Sequence, residues 1–245
     1  MAYRDDNDLT FLAHCSDDEL SALVETLITD KDGEIRYTEA LTSTDEYKEF
    51  QPEHSKYWRS IAAEIQCYGA NTLASMFRGG KGILYREVLT DVCKKMKVNH
   101  PDKASVETME RNLLMKFVED AVEKLSADDL KELISELDLK TTDFTSKAVV
   151  SAIQLAIRTN GILAYKLALI VANGVARALL GHGLAFTTNV AVVRSISVFA
   201  GPIGWAITGV WTLTDIAGPA YRVTIPAVVQ IACLRAKAVA DNQTE

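Results

Sequence analysis

From Phe144 to Ala240 the chain carries eight basic residues and one acidic residue, Asp215. A stretch this long and this poor in carboxylates cannot stand in water as ordinary surface helices. It has to bury itself in protein or in lipid. The rest of the chain is its opposite. Met1 to Asp143 holds 30 acidic and 18 basic residues, a balance of −12. Two parts of opposite sign point to two physical roles, or to parts that attract each other. The net charge of −7 argues against general nucleic-acid binding, which needs basic surface to displace counterions.

The apolar block reads as helical and glycine-containing. Val149 to Leu180 is apolar nearly all round, with Arg158, Lys166 and Arg177 as isolated charges. Ser195 to Thr214 is the uncharged run that reaches spanning length, about 20 residues. Pro202 and glycines 201, 204 and 209 interrupt it and make insertion into a bilayer marginal. Ala200, Gly204 and Gly209 have the spacing that lets helices approach closely. Trp205, Trp211 and Tyr221 are rings of the kind found at interfaces. Asp215 has Arg194 and Arg222 as candidate partners in a structural salt bridge, or is an ion-path or conformational-switch residue. Tyr221 to Ala240 is one more apolar helix, with Pro226 expected where a missing amide matters least.

The acidic part shows helical periodicity and no clean strand alternation. Ser16-Asp17-Asp18-Glu19 is a capping box followed by Leu20, Leu23, Val24 and Leu27 on one face. Ser126-Ala127-Asp128-Asp129 repeats the pattern before Leu130, Leu133, Ile134 and Leu137. The echo fits two similar capped helices, or two docking modules of one kind. Further helices are expected over Ser55–Phe77, Ile83–Val98 and Val106–Leu125. The architecture expected is an all-α multi-helix bundle in three parts: a capped-helix segment over 1–45, an acidic helical domain over 46–143 and the apolar basic block over 144–245.

Two short motifs invite a chemical reading. Arg78-Gly79-Gly80-Lys81-Gly82 lacks the Gly-Lys-Ser/Thr ending of a phosphate loop, since Lys81 is followed by Gly82 and Ile83. It could form an anion-binding nest or a helix–helix corner. His100-Pro101-Asp102 lies between two helices, after a helix ending in Lys94, Lys95 and Lys97. This resembles the J-domain of Hsp40 co-chaperones, which would imply stimulation of Hsp70. It departs from that family in the short spacing from Phe117 to Ala121. A chance turn also explains it, because Pro and Asp are turn residues. The four histidines have no metal-ligand spacing, and Cys15, Cys67, Cys93 and Cys233 form no C-x-x-C pair, which favours reduced thiols. The first residues lack a basic n-region and an apolar h-region, so no signal peptide is expected.

Three stretches carry a wider resemblance. They are Tyr3-Arg4-Asp5 with Asp8 to Leu12 and Cys15-Ser16; Arg78 to Gly82 with Tyr85 to Leu89 and Asp91-Val92-Cys93; and Gly204 to Gly209 with Asp215 to Arg222. In these the chain resembles a bacterial family of unknown function, the YaaW-type proteins, which is grouped with ubiquinol-cytochrome c chaperones. The resemblance implies a helical binding protein rather than an enzyme. Together with the charge split it points to a chaperone-like or assembly role, in which the acidic front half binds a protein client and the apolar block forms the core or docks on a membrane; the residues show no cofactor, metal or small-molecule site. The resemblance assigns no catalytic residue. The expected location is the cytoplasm, with the inner membrane surface as a second place. The rival readings are a membrane-inserting protein that uses the C-terminal hairpin, and an Hsp70 co-chaperone.

Overall fold

A computed structural model describes residues 3–30, 32–70, 82–180, 201–213 and 221–243. Ten α-helices lie among them: α1 (Asp17–Ile28), α2 (Asp45–Phe50), α3 (Trp58–Ala70), α4 (Tyr85–Lys95), α5 (Val106–Val122), α6 (Ala127–Glu136), α7 (Ser146–Thr159), α8 (Gly161–Leu180), α9 (Pro202–Leu213) and α10 (Tyr221–Asp241). Among the described residues there is no strand, only an isolated bridge between Thr29 and Ile35. The fold is all-α, as the periodicity implies.

Both capping boxes form. Ser16 Oγ accepts from the Glu19 amide while Glu19 accepts from the Ser16 amide. Ser126 and Asp129 do the same at the start of α6. The faces read from the sequence are the faces buried: Leu20, Leu23, Val24 and Leu27 on α1, and Leu130, Leu133 and Ile134 on α6.

The apolar block shares one hydrophobic core with the acidic half. α10 lies along α8 and also packs against α1, α3, α4 and α5. Every residue of α10 from Val223 to Leu234 is buried. α9 packs on α8 and α5, with Ile203 and Ile207 buried, so this part of the run around Pro202 is covered by α8 and by α5 of the acidic half. The helices of spanning length differ from the expected run. They are Gly161–Ala178 and Tyr221–Asp241, with mean hydropathy 1.3 and 1.5, and 67% of each is buried within the protein.

Three local details also differ from the sequence reading. The apolar stretch from Val149 to Leu180 is two helices, because Asn160 leaves the helical region at φ −131° and caps both. Its amide closes α7 on Ala156, and its Oδ1 accepts from Leu163 at the start of α8. Pro226 lies inside α10 in its second turn, not at its start. The glycine that close helix approach requires is Gly174 on α8. A Cβ there would lie 2.7 Å from Ile207 of α9, whereas Gly204 and Gly209 have nothing within 4 Å among the described residues.

The acidic half contains one buried carboxylate with half of its hydrogen bonds missing. Glu64 on α3 accepts from the Ala40 amide at 3.0 Å through Oε1, and its Oε2 has no partner. Burial first, and then the nearby Glu39, push its carboxyl up to about 7. Between the ordinary carboxylate range and pH 7 the folded chain therefore keeps a proton that the unfolded chain has lost. Stability contributed by this group is full below that window and falls as pH rises through it. Glu64→Gln should abolish this loss and gain about 1–3 kcal/mol at pH about 8, with little change at pH about 5. Urea unfolding of both proteins at the two pH values measures it, and equal slopes would contradict the assignment.

Candidate functional site

The described surface is opened by two adjoining cavities on one side of the bundle, and both follow α5. The first is an apolar slot of about 220 Å³ between α5, α8 and α10. Leu114 and Val118 form its α5 wall, and Ala164, Ala168, Ala232 and Ala236 face them. Small side chains on α8 and α10 leave this space open where two long helices would otherwise fill it. Val239 at its edge is 48% exposed, and Ile162 beside the lining Gly161 is 42% exposed. The second cavity is a polar cleft of about 530 Å³ between α5, the end of α7 and the turn after α4. Its cations are Lys97, Arg111, Lys116 and Arg158. Arg111, Met115, Ile157 and Arg158 border both cavities, which makes them one groove with an apolar lane and a cationic lane.

The cationic lane is mostly unneutralised. Lys116 pairs with Asp120 at 2.5 Å. Glu119, the acid of the cleft, accepts from Gln154 at 2.9 Å. Among the described residues Lys97, Arg111 and Arg158 have no ion-pair partner. Lys97 sits at the end of α4 with φ 55°, a left-handed conformation in which glycine carries least strain. The Val98 amide reaches back to the Cys93 carbonyl at 2.8 Å and holds this turn closed.

The slot ends on a buried polar network. Arg235 of α10 donates from Nε to Glu110 of α5 at 2.7 Å and from Nη2 to the Asp8 carbonyl at 2.6 Å. Its guanidinium stacks over Phe11, 4.3 Å from the ring centre. Tyr85 of α4 donates its hydroxyl to the other Glu110 oxygen at 2.7 Å. The Tyr85 amide donates to Asp6 at 2.6 Å, and Gln66 of α3 binds Asp6 and the backbone of Arg4. Two residues beyond Arg235, Lys237 bridges Glu19 at 2.7 Å and Asp241 at 2.6 Å. Opposite charges of the two parts therefore do meet. Burial pushes the Glu110 carboxyl up to about 7 in spite of the Arg235 cation. Burial works against the Arg235 cation too, but Glu110 and Tyr85 outweigh it and raise its pKa.

The motifs singled out in the sequence fall mostly elsewhere. Arg78, Gly79, Gly80, Lys81, Arg194 and Asp215 lie outside the described residues. Trp205 lies on α9, with its side chain outside them. Arg222 is exposed at the start of α10. His100, Pro101 and Asp102 form the loop between α4 and α5. His100 Nδ1 donates to the Val98 carbonyl at 2.7 Å, and Arg86 donates to the carbonyls of Asp102 and Ala104 at 2.8 and 2.7 Å. The Asp102 side chain is exposed, and it is the preceding residues, Lys97 to Asn99, that line the cleft. Sequence reasoning missed Glu110, Arg111 and Arg235 as parts of a site. The available signal was Glu110 itself, an acid inside the apolar stripe Val106, Met109, Leu113, Phe117.

The structure defines an all-α bundle with an open groove, and comparisons with known proteins show which family it belongs to. Residues 53–229 match the family model described as ubiquinol-cytochrome C chaperone, and residues 3–37 match a domain of unknown function, DUF3944. A UPF0174 protein of Helicobacter pylori (strain J99) is 45% identical over 244 residues, covering 99% of this chain and 96% of its own. The UPF0174 protein YaaW of Escherichia coli (strain K12) is 33% identical over 238 residues, covering 95% of each chain. No solved structure matches. The chain belongs to the ubiquinol-cytochrome C chaperone family and to the UPF0174 proteins, as the three stretches of resemblance implied.

Arg235→Met should destabilise the fold by about 3–5 kcal/mol, because it leaves Glu110 buried without its cation. The loss should be larger at pH about 8 than at pH about 5, where Glu110 takes up a proton. Adding Glu110→Gln should recover a large part of it. Urea unfolding of the two single variants and the double variant measures the coupling.

Proposed function

We propose that this protein is a non-enzymatic binding protein with a chaperone-like role, which holds a segment of a client protein in the groove along α5. The observation that carries the reading is the groove itself. It combines a slot walled by Leu114, Val118 and alanines with an apolar residue, Val239, left exposed at its edge. A concave, mostly apolar slot of this kind is where proteins take up ligands and partner segments. The match to the ubiquinol-cytochrome C chaperone model over residues 53–229 includes most of the groove and supports a client-binding role over an enzymatic one. The acidic half fixes α10 and supplies the α5 wall of the groove, and the apolar block supplies the walls that face it.

Prevention of aggregation tests this. The full chain should suppress the light scattering of a thermally unfolding model client, citrate synthase. Val239→Glu changes only an exposed residue of the slot's edge, so helix content should be unchanged. One lost contact of about 1 kcal/mol should weaken client binding by about fivefold. A parent protein that neither suppresses scattering nor binds the unfolding client would refute the reading.

A further inference from the structure

We propose that the groove selects its client by chemistry: an amphipathic α-helix that carries acidic side chains beside its apolar stripe. This rests on the client-binding reading of the preceding subsection and specifies the partner. The first support is the shape of the groove. Its two lanes run side by side along α5 from residue 107 to residue 119, about 18 Å at the rise of an α-helix. That is the length of about three turns. An amphipathic helix laid in a groove presents anchors at i, i+3, i+4 and i+7, all on one side, with its charged flank alongside. Here the apolar lane takes the stripe and the cationic lane takes the flank.

The second support is charge complementarity. Arg111 and Arg158 stand on the border between the lanes, and Lys97 projects from the turn after α4. These three have no ion-pair partner among the described residues, in a chain of net charge −7. In such an acidic protein, unneutralised cations gathered on one cleft are matched by a partner that brings carboxylates. Arginine fits this use because its planar fork binds a carboxylate through two parallel hydrogen bonds. Asn112 and Gln154 line the same cleft, with their amides donating to the Asn99 carbonyl and to Glu119. A lipid headgroup fits less well. Its single phosphate needs donors that converge on one point, and the cleft, at about 530 Å³, is the size of a whole ligand site.

Lys97 provides a control that separates recognition from folding. It occupies a left-handed helix-end position, as Asp138 does at the end of α6 with φ 49°, so the strain by itself marks nothing. What distinguishes Lys97 is its place in the cleft. Lys97→Gly relieves the strain and removes the cation together, so the fold is not weakened while the charge is lost.

The test uses the full chain and two fluorescein-labelled peptides of about 18 residues, five helical turns, with the same leucine and alanine stripe. One peptide is flanked by glutamates and the other by lysines. The glutamate peptide should bind about tenfold tighter or better at low ionic strength, and salt should narrow the gap. Arg111→Glu with Arg158→Glu should reverse the preference. Lys97→Gly should weaken the glutamate peptide about threefold without lowering the unfolding midpoint. Equal binding of both peptides overturns the charge selection and leaves the client groove standing. Failure of both to bind overturns the groove as a client site and this proposal with it. Displacement of the glutamate peptide by phosphatidylglycerol vesicles, lost in the Arg111→Glu, Arg158→Glu protein, assigns the cations to lipid and overturns the proposal.

Discussion

The arrangement of this bundle depends on a charge that an apolar helix carries into the protein. α10 is buried all round from Val223 to Leu234 and carries only Thr224 and Gln230 as polar residues there, so apolar packing does little to fix its register. Arg235 ends that ambiguity. Its guanidinium reaches Glu110 of α5 and the backbone of Asp8, partners 125 and 227 residues away in sequence. Tyr85 completes the Glu110 carboxylate, and Asp6 and Gln66 extend the network to α3 and the first residues of the chain. A slip of α10 by one turn would move Arg235 off every one of these partners. Buried ion pairs contribute little net stability, but breaking one by losing a partner is expensive. That asymmetry suits a device that specifies position.

The same network shapes the groove. Arg235 and Glu110 occupy its inner end, so α10 is held by polar contacts where apolar packing would otherwise draw it onto α5. The alanines of α8 and α10 then leave an open slot. Charge is distributed to match. The acidic half uses Glu110 and Glu19 on Arg235 and Lys237, while Arg111 and Arg158 are left facing the cleft. The overall charge of the chain and the charge of its groove therefore differ in sign, and the second is the one a partner meets.

Much of the fold was legible because it follows from local rules. Leu20, Leu23, Val24 and Leu27 lie on one helical face whatever surrounds them, and a Ser followed three residues later by Glu or Asp satisfies its own helix start. The charge split was legible as composition, and its consequence, contact between the two parts, is seen in Arg235 with Glu110. The break at Asn160 was harder to see. Apolar residues continue on both sides of it, and only the dual capping by Asn160 separates α7 from α8. The groove was not legible, because its walls come from residues between Lys97 and Gln243 that meet only in the folded chain. His100-Pro101-Asp102 drew notice as a motif, while the cleft takes the residues just before it. Glu110 was the nearest thing to a visible clue, since an acid in a buried stripe demands a partner.

Helices of spanning length in a protein with an acidic front half raise the question of where α8 and α10 are at rest, and the polar latch bears on it. Length and hydropathy alone would allow either helix to cross a bilayer. Composition at the far end of α10 opposes this. Arg235 and Lys237 lie within its last two turns, both paired to the acidic half at 2.7 Å. Moving α10 into lipid would expose those cations to hydrocarbon or pull them to the interface, and would leave Glu110 in the core with only the Tyr85 hydroxyl. The loss at Glu110 costs several kcal/mol, although cations so near a helix end could reach the interface. The feature that sets the register of α10 thus also holds a membrane-length helix in the protein.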